Sequence, residues 1–467
     1  MAAVSIFLGC FMTYKNKFQG KAEMLGLAAA LLSLPAGYCQ TARASTPASV
    51  PELGSVYQPS EQYRLGMQLL NRQNKSRHDV DQGIRWLQLA AAHRNPDALF
   101  QLGMFHENGF DNVEKDVRRA IRFYEQAADL GNREAIYNLT ALVLKKNTDY
   151  YDPDTALYWL QRGAHRGDAN IQFSLAMFYR DQQQNSRKSL QWLFKSAWNG
   201  HKSAQYVLGT YFLQGRYLPR DPRKSFQWFE MAAKAGDAMS QYDVALMYET
   251  GEGAPANQNM AVYWYEQAAA QGESGALFNL GRKYLLGESV AQDINKGLDL
   301  MEQSAQQGNP AAQTMLASHL QIGQYLTRDA RKAYQLYLSA AENNYPEAQY
   351  QLSLMFAKGD GVPKSDTLSV RWISKAARLN HTKAQYGLGA YLANGVGIEK
   401  NLFEAAYWIC LAAAQGQKHA LDTRDSLLQM LTQKEREDIN RRVDSTMTGS
   451  DHLGTPGMDR SGAIRKP

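Results

Sequence analysis

Large apolar and small residues alternate along this chain in two recurring helical registers. A twelve-residue phrase of the form x-x-x-W-x-x-x-A-A-x-x-G returns every 36 residues. It reads SFQWFEMAAKAG at 225–236, AVYWYEQAAAQG at 261–272, GLDLMEQSAQQG at 297–308, AYQLYLSAAENN at 333–344, SVRWISKAARLN at 369–380 and AAYWICLAAAQG at 405–416. A period of this size marks stacked units that share a continuous core, not independent domains. Aligned on the phrase, the chain divides into ten units: 60–95, 96–131, 132–167, 168–200, 201–236, 237–272, 273–308, 309–344, 345–380 and 381–416. Apolar residues three and four apart in both halves of each unit predict two helices per unit.

The first half carries small-x-x-x-Leu-small. The residue after the Leu (Val244 in one unit) is always small: Gly66, Gly103, Thr140, Ala176, Gly209, Ala245, Gly281, Ala317, Ser353 and Gly389. Gly inside a helix costs about 1 kcal/mol relative to Ala. Such a column predicts close approach of a neighbouring helix. Two residues before the Leu lies an aromatic column that includes Tyr206, Tyr242, Phe278 and Tyr386. The second half places a bulky residue, Trp in seven units, four residues before a small one, as Trp264 stands before Ala268. Residues four apart share a helix face, so ring and small residue are expected to interlock as knob and hole. Burying each ring contributes roughly 3 kcal/mol. The phrase closes on Gly, or on Asn344 and Asn380, as a left-handed helix end requires.

At these residues the chain resembles the Sel1-like repeat, a relative of the tetratricopeptide repeat. The pattern A-x-x-x-L-G-x-x-Y-x-x-G-x-G-V…A-x-x-W-x-x-x-A-A-x-x-G fits best at 381–416, with LGAYLANGVGIEKNLFEAAYWICLAAAQG. Unit 132–167 departs from it with KKNTDYYDPD in place of the loop glycines, and 168–200 shortens its loop to RDQQQNSR. The resemblance implies an all-α, right-handed superhelical solenoid of ten antiparallel helix pairs. Residues 417–444, with Leu421, Leu427, Leu428, Leu431 and Ile439, are expected to be capping helices that cover the last unit. Residues 45–59 read as a linker and 445–467 as a disordered tail.

The amino terminus changes the picture of where the array works. Lys15, Lys17 and Lys21 precede the apolar run Met24–Gly37, and Ala42-Arg43-Ala44 fits a small-x-small cleavage site. Residues 1–44 are therefore expected to be an export signal, which predicts a periplasmic or secreted protein. Met12 or Met24 is an alternative start. Phe7-Leu8-Gly9-Cys10 resembles a lipoprotein box, but no basic residue precedes it, so a lipid anchor is unproven. Net charge is +6, and Lys15, Lys17, Lys21 and Arg43 against Glu23 leave only +3 for residues 45–467. No clustered basic stripe is evident, so nucleic acid is not an expected partner.

Candidate chemistry is sparse. Cys10 and Cys39 fall in the signal, leaving Cys410, expected to be partly exposed, with no disulfide and no cysteine metal site. The nine His form no H-E-x-x-H, and His106 and His319 read as packing residues. The Gly-x-Gly pairs follow helices and not strands, which argues against a phosphate cradle. No catalytic residue, cofactor or metal ligand is expected. What remains is surface. With the Leu at 0°, offsets −1 and +2 fall away from the packed arc and vary between units. They give candidate partner-binding residues Gln101, Asn138, Asp243, Asn279, Arg282 and Gln351.

The resemblance implies a scaffold or adaptor that binds other proteins, with relatives in cell-envelope and polysaccharide-export assembly. Membrane association is expected only through partners or a lipid anchor. Direct glycan binding along exposed rings is the alternative. A penicillin-binding hydrolase is remote, because the paired cysteines of those relatives are absent.

Overall fold

The computed structural model describes residues 57–448. The expected signal at 1–44, nearly all of the linker and residues 449–467 lie outside the described residues. Among the described residues there are 22 α-helices and no strand, only an isolated bridge between Phe110 and Val113. They form two compact units, divided between Arg220 and Asp221.

In unit 1 the first helices of successive repeats are α1 (Pro59–Leu70), α3 (Pro96–Asn108), α5 (Arg133–Val143), α7 (Ala169–Asp181) and α9 (Lys202–Gln214). The second helices are α2 (Arg77–Ala92), α4 (Val117–Asp129), α6 (Pro153–His165) and α8 (Ser186–Trp198). Unit 2 opens on the second helix α10 (Pro222–Lys234). Four pairs follow: α11 (Ala238–Thr250) with α12 (Gln258–Ala270), α13 (Ser274–Leu286) with α14 (Ile294–Gln306), α15 (Pro310–Ile322) with α16 (Ala330–Glu342), and α17 (Pro346–Lys358) with α18 (Asp366–Arg378). The last pair is α19 (Thr382–Asn394) with α20 (Leu402–Ala414), then α21 (Lys418–Gln429) and α22 (Gln433–Thr448). The whole is an all-α repeat solenoid.

Local signals set these boundaries. Asp116, Asp152, Asp221, Asn257, Asp293, Asp329 and Asn401 cap second helices, each side chain accepting a hydrogen bond from a backbone N–H in the first turn. Such a cap is worth about 1 kcal/mol. Asn344 (φ 58°) and Asn380 (φ 64°) take the left-handed conformation that Gly takes in seven repeats and Arg94 (φ 59°) in the first.

Packing differs from the sequence expectation in one respect. The small column of the first helix does not receive the Trp. It receives the residue after it, a column of large side chains buried deeper than the Trp: Leu87, Tyr124, Phe229, Tyr265 and Met301 are fully buried. A Cβ on Gly103 would lie 2.6 Å from the Tyr124 ring, and one on Gly281 would lie 2.9 Å from the Gly297 carbonyl oxygen. Two helices of one repeat therefore touch backbone to backbone. The Trp one position back is also buried (Trp86, Trp159, Trp192, Trp228 and Trp264), but Trp372 and Trp408 are only partly covered.

A second column was missed. Gln172, Gln205, Gln241, Gln313, Gln349 and Gln385, three residues before the Leu, are buried. Each donates its Nε2 to a carbonyl in the last turn of the preceding helix: Ala164, Ala197, Ala233, Ala305, Ala341 and Ala377, at 3.0–3.4 Å. Each of those carbonyls also accepts the backbone N–H of the Gly or Asn that closes its repeat. The glutamines fill the second lone pair and so tie successive repeats together.

The end of the array is closed by α22. Ile439 and Val443 are buried, and Arg442 reaches Glu404 at 2.8 Å and lies 4.2 Å over the Tyr407 ring. The helix runs to Thr448, past the boundary expected at 444.

Candidate protein-interaction faces

The six residues picked from sequence occupy the expected offsets on first helices, but their surroundings differ. Gln101 is half-buried, and Gln351 donates to Glu347 at 2.7 Å. Asp243 and Asn279 are buried, contrary to the expectation that offset −1 points to solvent. Asn279 meets the second helix of the preceding repeat, where Tyr265 accepts its hydrogen bond.

Asn138 and Asn279 have matching partners there. Asn138 donates to the Tyr124 hydroxyl at 3.2 Å, and Tyr124 donates to Glu107 at 2.7 Å. Asn279 donates to the Tyr265 hydroxyl at 3.3 Å, and Tyr265 donates to Glu249 at 2.7 Å. Each triad ties the first helix of one repeat to both helices of the repeat before it. Burial and the neighbouring carboxylate push both phenols far above the usual tyrosine range. Unit 2 adds cations to its triad. Lys283, 2 % exposed, lies 2.6 Å from Glu249, and Arg282 bridges Glu249 and Glu288 at 3.4 and 2.8 Å. Burial works to raise the Glu249 carboxyl, but the bonds from Lys283 and Tyr265 outweigh it and hold it below the usual range. Arg282 is thus committed to intramolecular pairs.

The outward face of a first helix is set by positions spaced four, three and four apart. On α3, α5, α7 and α9 its two ends are polar: Asp97, Glu134, Asn170 and Ser203 at one, Asn108, Lys145, Asp181 and Gln214 at the other. On α11, α13 and α15 the same positions hold Met239 (51 % exposed), Leu286 (53 %) and Ile322 (67 %). Leu246 and Met315, half-buried, lie between them. Gly275 and Ala311, both buried, stand where the unit 1 face carries Asp97, Glu134, Asn170 and Ser203. Three consecutive first helices of unit 2 therefore each expose one large apolar side chain, Met239 in the first turn of α11 and Leu286 and Ile322 in the last turns of α13 and α15.

The ring column named for glycan stacking does not form an open ladder. Tyr242 is buried, its ring 2.8 Å from where a Cβ on Gly275 would sit. Tyr206, Phe278 and Tyr386 are half-buried. Cys410 is buried and not partly exposed, and burial pushes its thiol up, away from the reactive thiolate. His106 stacks on Phe123 at 5.5 Å, as a packing residue does. His201 was not singled out from sequence. It caps α9 by accepting the Ala204 N–H at Nδ1 and stacks on Phe173 at 4.5 Å. Burial pulls its imidazole down to about 4. Among the described residues no group of three or more His, Cys, Asp or Glu could hold a metal ion.

Comparison with known proteins places this architecture. The family model of the Sel1 repeat matches ten segments: 62–95, 96–132, 148–168, 172–201, 202–237, 238–273, 274–309, 310–345, 346–381 and 382–417. The third match keeps only the second half of its unit, where the loop glycines are replaced. Among solved structures, a Sel1 repeat protein from Oxalobacter formigenes is 27% identical, with a TM-score of 0.52, over 73% of this chain and 99% of that one. The protective antigen c5321 of uropathogenic Escherichia coli, which displays an SLR fold, is 23% identical with a TM-score of 0.53, over 88% and 98%. Among curated proteins none matches. Sel1 repeat proteins generally mediate protein–protein interactions and are typically non-catalytic scaffolds. With ten matched segments that span more than half its length, the chain belongs to the Sel1 repeat family.

Proposed function

We propose that this protein is an exported scaffold of the cell envelope that holds a partner protein on the first helices of α11, α13 and α15. The observation that carries the binding face is the exposure of Met239, Leu286 and Ile322 at positions that are polar throughout unit 1. Apolar residues at the centre of a surface patch provide most of the affinity of an interface, and a satisfied polar cluster within it fixes register. The basic, then apolar, then small-residue start of the sequence supports export, and export supports an envelope partner, including polysaccharide-export machinery.

The test is cross-linking and affinity capture of the tagged full-length chain from its own host. Capture of a defined envelope protein by wild type, lost in Leu286→Asp/Ile322→Asp with an unchanged helical melt, is the expected result. Equal capture by both forms would remove the face from the proposal. Recovery of the chain with its amino-terminal segment uncleaved in the cytoplasm would remove export.

A further inference from the structure

The described part of unit 1 holds 22 Lys and Arg against 16 Asp and Glu, and one stretch accounts for the whole excess. Residues 182–220 contain no Asp or Glu, but carry Arg187, Lys188, Lys195, Lys202, Arg216 and Arg220. No basic stripe is evident along the sequence because the neighbouring stretches dilute it. The fold gathers part of it on the edge where α7 turns into α8 and α9 ends.

Two contact groups lie there. The Lys188 Nζ lies 5.2 Å from the Tyr179 ring. The neighbouring Arg180 gives its charge to Asp181 at 2.6 Å and reaches the Tyr211 hydroxyl at 3.5 Å. The Tyr211 ring is 5.0 Å from that of Tyr217, and the Arg216 guanidinium lies 5.0 Å over Tyr217. Among the described residues Arg187, Lys188 and Arg216 have no ion-pair partner, and the sequence explains why for Lys188. The corresponding Arg119 and Lys224 pair at 3.2 Å with Asp116 and Asp221, the caps of their helices. Helix α8 is capped by Asn185, which brings no charge.

Tyr217 puts a ring on this edge, 40 % exposed. Its loop position is Gly253, Gly361 or Gly397 in three other repeats and Asp111, Ser289 or Tyr325 in three more, all at positive φ. What distinguishes Tyr217 from Tyr325 is the Arg216 guanidinium over its ring.

We propose that this edge is a second docking surface, for an acidic polypeptide segment. Carboxylates would lie against Arg187, Lys188 and Arg216, and an apolar side chain against Tyr217. A short acidic segment fits better than nucleic acid, because a polyanion draws its affinity from a long track of phosphate contacts. The positive potential here ends within one edge, and the described part of unit 2 has 22 Lys and Arg against 25 Asp and Glu.

The test is fluorescence anisotropy with the full-length chain and a labelled peptide of Asp, Glu and Leu. The controls are the Asn, Gln and Leu peptide, and polyuridylate and heparin as competitors. Wild type is expected to bind the acidic peptide, more weakly as salt rises. Lys188→Glu/Arg216→Glu should lower affinity roughly tenfold or more. Tyr217→Gly should also weaken binding with little loss of thermal stability, since Gly relaxes the backbone there. Ile322→Asp should bind as wild type does, which separates this edge from the unit 2 face. Equal binding of the neutral peptide, or unchanged affinity in the charge-reversed variant, would overturn the proposal. So would stronger binding of polyuridylate or heparin that the same variant abolishes, which would make the edge a polyanion site.

Discussion

The two units build the same tyrosine triad and surround it differently. In unit 1, Tyr124, Glu107 and Asn138 form a neutral-donor tie beneath a polar outer face. In unit 2, Tyr265, Glu249 and Asn279 repeat it, but Lys283 stands where other repeats bury Phe105, Phe178 or Met247, and three first helices expose Met239, Leu286 and Ile322. The contrast separates two uses of one scaffold. Columns that hold repeat to repeat are written into both units, while charge and apolar surface are distributed unequally. Unit 1 concentrates uncompensated cations on one edge, and unit 2 concentrates exposed apolar residues on one face.

The largest expected effect comes from breaking the unit 2 cluster. Glu249→Leu leaves Lys283 buried beside an apolar side chain and should cost about 3 kcal/mol in urea unfolding, since removing one member of a buried pair strands the other charge. The unit 1 counterpart Glu107→Leu removes the acceptor of the Tyr124 hydroxyl, strands no fully buried lysine and should cost about 1–2 kcal/mol. Glu249→Leu/Lys283→Met should recover most of the loss. Equal costs at the two sites would mean that Lys283 adds nothing to the tie.

A pH series sharpens the comparison through two histidine caps. His201 in unit 1 is buried and held neutral, its folded value pulled down to about 4 from an ordinary 6.5. Between those values the unfolded chain binds more protons than the native one. Stability should therefore fall as pH drops below 6.5, by about 1.4 kcal/mol per unit until roughly pH 4. His381 in unit 2 caps α19 in the same way, but its Nε2 lies 2.9 Å from the Glu347 carboxylate. Melts of His201→Asn from pH 7 to 4.5 should lose the steep component, because Asn caps without titrating. His381→Asn should not lose it. If the two variants show the same acid slope as wild type, His201 is not the group responsible.

The smallest effect tests the glutamine seam. The Gln241 carbonyl oxygen accepts from Gln271 at 2.8 Å and that of Gln385 from Gln415 at 2.9 Å, but the corresponding oxygen of Gln349 is buried with no partner and Leu379 stands opposite. Gln271→Leu should destabilise by about 1 kcal/mol, and Leu379→Gln should stabilise by up to about 1 kcal/mol. Thermal melts with opposite shifts would support the seam.

Much of this was legible along the chain. The small column and the closing Gly or Asn gave the close approach and the helix ends, because each depends on a local steric fact: no Cβ at a contact, or tolerance of positive φ. The pairing of columns was not legible. The Trp column is the more visible one, but the residue after it is the deeper, since the angle at which two helices meet decides which neighbour points to the seam. The buried glutamines were missed because Gln is ordinarily a surface residue. A periodic Gln three residues before the Leu was the available signal. The candidate face was half read. Offset −1 was correctly placed on first helices, but Asp243 and Asn279 are buried, Asn279 against the preceding repeat, which no single helix can reveal.

By itself, the sequence determined the repeat, its two helices, its ends and its family, because those follow from local backbone preference and from a hydrophobic period shared by every unit. Only the tertiary structure decided that Tyr124 and Tyr265 are interior struts, that Lys283 is a buried charge, and that Leu286, Ile322 and Tyr217 are open surface. Burial depends on what the neighbouring repeats bring to a position, and identical offsets in one period receive different neighbours.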